Sequence, residues 1–169
     1  PRDRAPLLDY RKGLDMQLSE ILRPECVKLL NGATSKKRLF QDIAELAQSA
    51  YGLGQSQVLD ALLERETLGP TGVGQGVALP HARLHEIDKV CGLFFRLDRP
   101  LEFESVDRQP VDLIFTLFAP ENAGVEHLKA LALVSRTLRD PGTCAKLRAN
   151  DDPATLHTIL TETTSSQAA

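Results

Sequence analysis

Apolar positions along the chain fall into helical and strand-like patterns that alternate. Leu39, Ile43, Leu46, Ala47 and Ala50 recur at helical spacing, and Thr34 or Ser35 stands where an N-cap belongs. Gly52 and Gly54 break this helix. Val58, Leu59, Leu62 and Leu63 form the stripe of a second helix over residues 55–67, whose last turn carries Glu64, Arg65 and Glu66. Leu128, Leu131, Val134 and Leu138 predict a longer helix over 125–138, and Pro141 and Pro153 each open a further short one. Residues 91–97 and 111–118 are nearly continuously apolar, as strands covered on both faces are. Residues 26–30 and 77–79 predict shorter strands, the second stopped by Pro80. Leu18, Ser19, Ile21 and Leu22 suggest one helical turn.

Helices and strands interleave without a linker or repeat, which predicts one α/β domain around a covered sheet. Its expected extent is 17–162, with a loose N-terminal arm over 1–16 and a small, polar, disordered tail over 163–169. The length of 169 residues fits a single domain, and 42% apolar with 25% charged residues excludes a disordered or collagen-like chain. A net charge of −3 without a basic run argues against nucleic acid as partner. No apolar stretch approaches the roughly 20 residues of a membrane helix, and charges interrupt the N-terminus, so neither membrane insertion nor a signal peptide is expected. Cys26, Cys91 and Cys144 are far apart and odd in number, which reads as reduced structural thiols of a cytoplasmic protein.

The densest candidate chemistry lies between residues 65 and 85. A loop from Gly69 to Gly76, half glycine, leads into the short strand before Pro80 and His81. This places His81 in a loop at a strand end, where α/β folds bind ligands, although an ordinary packing histidine fits the spacing as well. Arg65 either complements the C-terminus of its helix or reaches an anion beside His81. His127 falls in the first turn of the long helix, where the N-terminal field disfavours imidazolium; it either joins a site as a neutral donor or faces solvent. The glycines lack both the dinucleotide and the P-loop spacing, and no other cofactor motif is present. His81, His85 and Glu86 look metal-like only on a helix, which Pro80 argues against. His157 is expected to face solvent on its helix.

The run from Leu63 to Arg83, with Glu64-Arg65-Glu66, Gly69-Pro70-Thr71-Gly72 and Pro80-His81-Ala82-Arg83, resembles the signature of fructose/mannitol-type EIIA domains of the phosphoenolpyruvate phosphotransferase system. Within that family the nitrogen-regulatory branch is the nearest match. Ser35-Lys36-Lys37-Arg38, Gln109-Pro110-Val111-Asp112-Leu113 and His127-Leu128 follow in family order, and the resemblance covers about residues 17–160. It implies a central mixed β-sheet flanked by helices on both faces. It implies His81 as phosphoryl acceptor through Nε2, Arg65 as phosphoryl contact, His127 as second active-site histidine, and Thr71, Gly72, Gly74 and Gly76 as shaping the phosphate pocket. Ala82 departs from the glycine of many relatives, which puts the local loop shape in question. An imidazole that is neutral near pH 7 needs no separate base for such chemistry.

The expected function is that of a phosphoryl carrier taking phosphate from an HPr-like phosphocarrier and regulating target proteins, such as kinases or transporters, by its phosphorylation state. The absence of an EIIB-like cysteine segment or membrane domain after it favours regulation over the alternative, an EIIA serving a separate sugar permease. A binding module that has lost phosphorylation is disfavoured by the presence of Arg65, His81 and His127 together.

Overall fold

The structure, a computed structural model, describes residues 16–32 and 35–168. The expected arm, save Met16, and the alternative cap Thr34 lie outside the described residues. The elements run α1 (Leu18–Ile21), β1 (Leu22–Leu30), α2 (Lys36–Tyr51), α3 (Gln55–Thr67), β2 (Gly72–Gly74), β3 (Val77–Ala78), β4 (His81–Leu84), β5 (Cys91–Leu101), β6 (Val111–Pro120), α4 (Val125–Arg139), α5 (Pro141–Arg148) and α6 (Pro153–Ala168). Ser35 caps α2 by accepting from the Arg38 N–H, and Gly52 ends it in a left-handed conformation at φ 70°.

One mixed sheet runs in the order β1-β5-β6-β3-β2. β5 and β6 pair antiparallel along their length, and β1 adds to β5 in parallel. Consecutive residues of both central strands are buried, Leu93, Phe94 and Phe95 in one and Leu113, Ile114 and Phe115 in the other. Helices therefore cover both faces, as the apolar runs predict. The Phe94 and Phe115 rings meet at 6.3 Å within this core. Truncating a ring so placed to alanine costs about 3–5 kcal/mol in cavity and lost burial.

The strand that carries the candidate histidine is built differently from the sequence expectation. β3 pairs in parallel with Leu113 and Ile114 of β6, and β4 pairs in parallel with Leu117 to Pro120 of the same strand. The two are thus one broken strand, interrupted at Leu79-Pro80. Pro80 does not end the ladder, because its carbonyl accepts from Leu117 N–H at 3.1 Å. His81 is consequently the first residue of a strand and not a loop residue. Ala82 is buried in that strand opposite Phe118 without a left-handed backbone, so alanine fits where the resemblance raised a question.

Other boundaries also move. β1 begins four residues before the expected Cys26, with its register broken between Leu22 and Val27 around Pro24, a residue that an edge strand tolerates. α6 continues to Ala168, helical over residues expected as a disordered tail; no glycine or proline there stops it. His157 is half-buried, its Nε2 lying 2.9 Å from the Leu22 carbonyl, so it ties α6 to β1 and does not simply face solvent.

Candidate active site

The break at Leu79-Pro80 turns the Leu79 carbonyl toward His81 and gives that residue its setting. Leu79 N–H donates to Thr71 O at 2.9 Å, and Leu79 O lies 2.9 Å from His81 Nδ1. A carbonyl can only accept, so Nδ1 carries the proton. Arg65 Nε lies 3.3 Å from His81 Nε2, and a guanidinium can only donate, so Nε2 presents its lone pair. Both neighbours have a single possible role, and together they fix one tautomer. The imidazole is half-buried; burial lowers its pKa below the ordinary 6.5, and Arg65 adds to this, against the Leu79 bond and Glu66, which raise it. The neutral ring is favoured.

Arg65 stands in the last turn of α3, where the Leu68 N–H closes onto its carbonyl. Its Nη1 donates to Gly69 O at 3.0 Å, which aims the guanidinium across the loop at His81. Arg65 thus combines a place in the last turn of its helix with reach toward His81. His127 is buried at 5% exposure, and its ring lies 5.6 Å from that of His81, tilted by 47°. Burial lowers its pKa first, with His81 and Arg83 adding to the effect. Its Nδ1 is buried without a hydrogen-bond partner among the described residues. α4 starts beside it without a side-chain cap, leaving first-turn N–H groups open.

Two depressions meet at Arg65 and His81. One, of about 420 Å³, is bordered by Arg65, Leu68, His81, Ala82, Arg83 and His127 among others. The second, of about 370 Å³, lies between Arg65, Thr71, Val73, His81 and α4. Thr71 is buried, and its hydroxyl donates to Glu66 Oε2 at 2.7 Å. Gly72, Gly74 and Gly76 line neither depression. They serve the β2–β3 hairpin: Gly72 backs onto Ser105, and Gly74 and Gly76 take φ of 101° and 79° at its turn. Asp107 and Arg148 hold the turn by accepting from Gln75 N–H and donating to Gln75 O.

Glu66 and Lys36 lie next to this cluster, although the sequence analysis assigns neither of them a role there. Glu66 reaches forward five residues to Thr71, which depends on the Gly69-Pro70 turn, and Lys36 arrives from another helix. The visible signals are the adjacency of Glu66 to Arg65 and the presence of Glu66 and Lys36 in the motifs that carry the resemblance. His85 turns away from His81 and pairs with Glu121 at 2.7 Å on the surface. Among the described residues no group of three or more histidines, cysteines or carboxylates converges on a metal site, and no helix is long and apolar enough to cross a membrane. Cys26, Cys91 and Cys144 are free and buried.

Comparison with known proteins points the same way. A nitrogen regulatory protein of Bradyrhizobium diazoefficiens is 46% identical over 145 residues, covering 86% of this chain and 95% of that one. The crystal structure of nitrogen regulatory protein IIA-Ntr from Neisseria meningitidis superposes with a TM-score of 0.79 at 36% identity, over 85% of this chain and 99% of that one. The mannitol IIA of Escherichia coli shares the fold, with a TM-score of 0.70 at 20% identity over 82% and 97% of the two chains. The family model for the phosphoenolpyruvate-dependent sugar phosphotransferase system, EIIA 2, matches residues 20–163, and the chain belongs to that family.

Proposed function

We propose that this protein is a phosphoryl carrier and regulator of a nitrogen-related phosphotransferase system, accepting phosphate on His81 Nε2. The observation that carries this reading is the fixed tautomer: Nδ1–H is tied to Leu79 O, so the lone pair points outward at Nε2. The names of the 46%-identical and 36%-identical relatives support the regulatory branch.

The chemistry follows from the residues. The Nε2 lone pair of His81 attacks phosphorus on the donor's phosphohistidine. The donor N–P bond breaks, and its electron pair returns to the donor ring nitrogen. The His81 Nδ1 proton stays against Leu79 O throughout. Such transfer needs placement and stabilisation of equatorial oxygens more than acid–base work. Arg65 surrenders its bond to Nε2 and donates to a phosphoryl oxygen instead. His127 and the open N–H groups of α4 offer further donors. Thr71 shapes the second depression from below.

The donor we propose is an HPr-like phosphocarrier. Leu68, Val73, Val125 and Leu128 are exposed large apolar side chains on elements that border His81 and His127, an apolar rim suited to a protein partner. Regulated targets would read the same rim in its two charge states, since phosphate adds about −1.5 to −2 at pH 7. Three unpaired thiols suit a reducing compartment, and we place the carrier in the cytoplasm.

The test is incubation of the purified protein with phosphoenolpyruvate, enzyme I and an HPr-type carrier. One acid-labile phosphate per chain is expected, and His81→Ala should abolish it. Label retained in that variant would sink the assignment. A pull-down in both phosphorylation states then separates regulation from sugar uptake: a sugar-specific EIIB as main partner would overturn the regulatory reading.

A further inference from the structure

Behind His81 runs a continuous chain of hydrogen bonds that starts two elements away. Lys36 Nζ, at the start of α2, donates to Glu66 Oε1 at 2.8 Å and to Phe103 O at 3.1 Å, and lies 4.7 Å over the Phe103 ring. Glu66 Oε1 also accepts from the Thr71 N–H at 3.1 Å, while Oε2 accepts from the Thr71 hydroxyl at 2.7 Å. Thr71 O accepts from Leu79 N–H, and Leu79 O accepts from His81 Nδ1–H, both at 2.9 Å. The carboxylate side chain is only 9% exposed, so these bonds form where water competes little.

Each link removes one freedom. Leu79 lies at the break in the strand, where β6 does not hold its N–H; Thr71 O does. Thr71 in turn leaves Gly69-Pro70, a turn with φ 156° at Gly69, and is pinned by two bonds to one carboxylate. Without that clamp the Leu79 carbonyl has no fixed direction, and that carbonyl selects which ring nitrogen of His81 bears the proton. Lys36 compensates the carboxylate charge beneath a site meant to receive an anion. An uncompensated buried carboxylate there would repel the phosphoryl group.

We infer that Glu66, paired with Lys36, is a positioning residue that sets the tautomer and aim of His81 through Thr71 and Leu79 without touching the phosphoryl group. The inference rests on His81 being the acceptor. It extends that reading to side chains from α2 and from the residue after Arg65, neither of which borders the phosphate-facing side.

Two measurements on the full chain separate this from a merely structural role. Ring ¹⁵N shifts of unphosphorylated His81 report its tautomer without any donor. Wild type should show the Nδ1–H form, whereas Glu66→Gln and Thr71→Val should show a mixture, and Thr71→Ser, which keeps the hydroxyl, should recover most of the loss. Single-turnover transfer from an HPr-type donor should slow by about tenfold at saturating donor in Glu66→Gln, with the half-saturating donor concentration unchanged; small misplacement of a reacting atom has effects of this order. Should Glu66→Gln fold poorly because Lys36 is left unpaired, the Lys36→Met/Glu66→Met double variant removes both charges, and a mixed tautomer is expected there too. An unchanged tautomer in folded Glu66→Gln, Thr71→Val or the double variant, with transfer within about twofold of wild type, overturns the inference. If wild type accepts no phosphate at all, the functional proposal fails instead, and the tautomer measurement still decides the role of Glu66.

Discussion

Gly72→Ala tests whether the glycine-rich segment serves the hairpin or the phosphate. A Cβ built at Gly72 would meet Ser105 Oγ at 2.1 Å, Ser105 Cβ at 3.0 Å and Ser105 Cα at 3.2 Å. The hydroxyl can rotate away, but Ser105 is 5% exposed and its backbone belongs to a connection with left-handed residues on either side, Glu104 and Arg108. The strand must therefore shift, and overpacking of this kind costs about 1–3 kcal/mol. For a chain of this size that amounts to a fall in Tm of about 2–12 °C, read by calorimetry or circular dichroism. Ser105 Oγ makes no hydrogen bond among the described residues, so Ser105→Ala alone should be neutral or slightly stabilising. Combining the two should recover about 1 kcal/mol relative to additivity, because the 2.1 Å contact disappears while the 3.0 Å contact remains. A Gly72→Ala variant that melts within 1 °C of wild type yet no longer takes up phosphate would refute the reasoning, for the glycine would then face the ligand and not Ser105.

Arg65→Lys should slow phosphoryl uptake about 10- to 100-fold, the worth of one charged hydrogen bond of about 1.5–3 kcal/mol, with little change in Tm; stopped-flow labelling at saturating donor decides, and an unchanged rate would confine Arg65 to the helix end. Because His81 and His127 both have lowered pKa values in the fold, the unfolded chain takes up protons first as pH falls through the ordinary histidine value of 6.5. Stability should therefore decline between pH 7.5 and 5.5, and the decline should shrink in His81→Ala/His127→Ala; an equal slope in both proteins would contradict the burial argument. Tyr51→Phe removes a 2.9 Å bond to Gly92 O, an expected loss of about 0.5–1.5 kcal/mol by urea denaturation.

Much of this architecture is legible in the apolar pattern because its signal is local. The runs at 91–97 and 111–118 lie within the two central strands, where burial on both faces leaves no room for alternation. α3 matches its stripe over 55–67, since Gly54 precedes it and the Gly69-Pro70 turn follows. What cannot be read is pairing at a distance. Pro80 looks like the end of a ladder, yet β6 supplies partners on both sides of it, Leu113 and Ile114 before and Leu117 after. The same holds for Glu66, whose partners lie 5 and 30 residues away across a turn and a helix start. The histidines at 81 and 127 are individually ambiguous in sequence, and only the packing of α4 beside β4 brings their rings to 5.6 Å.

The broken strand also bears on how phosphorylation state would be read by a partner. With Nδ1 anchored to Leu79 O and the strand resumed at His81, the ring has little freedom to move when Nε2 changes its bond. On the proposed chemistry the phosphoryl group replaces the lone pair that Arg65 now donates to, so the Arg65 side chain alone must find a new acceptor. The backbone beneath it stays held by Glu66, Thr71 and the β6 ladder. The two states then differ in one guanidinium and about two negative charges at a rim that also carries Leu68 and Leu128. Discrimination by a target follows from charge placed among unchanged apolar contacts. Affinity of the two states should therefore diverge most at low ionic strength and converge as salt screens the rim.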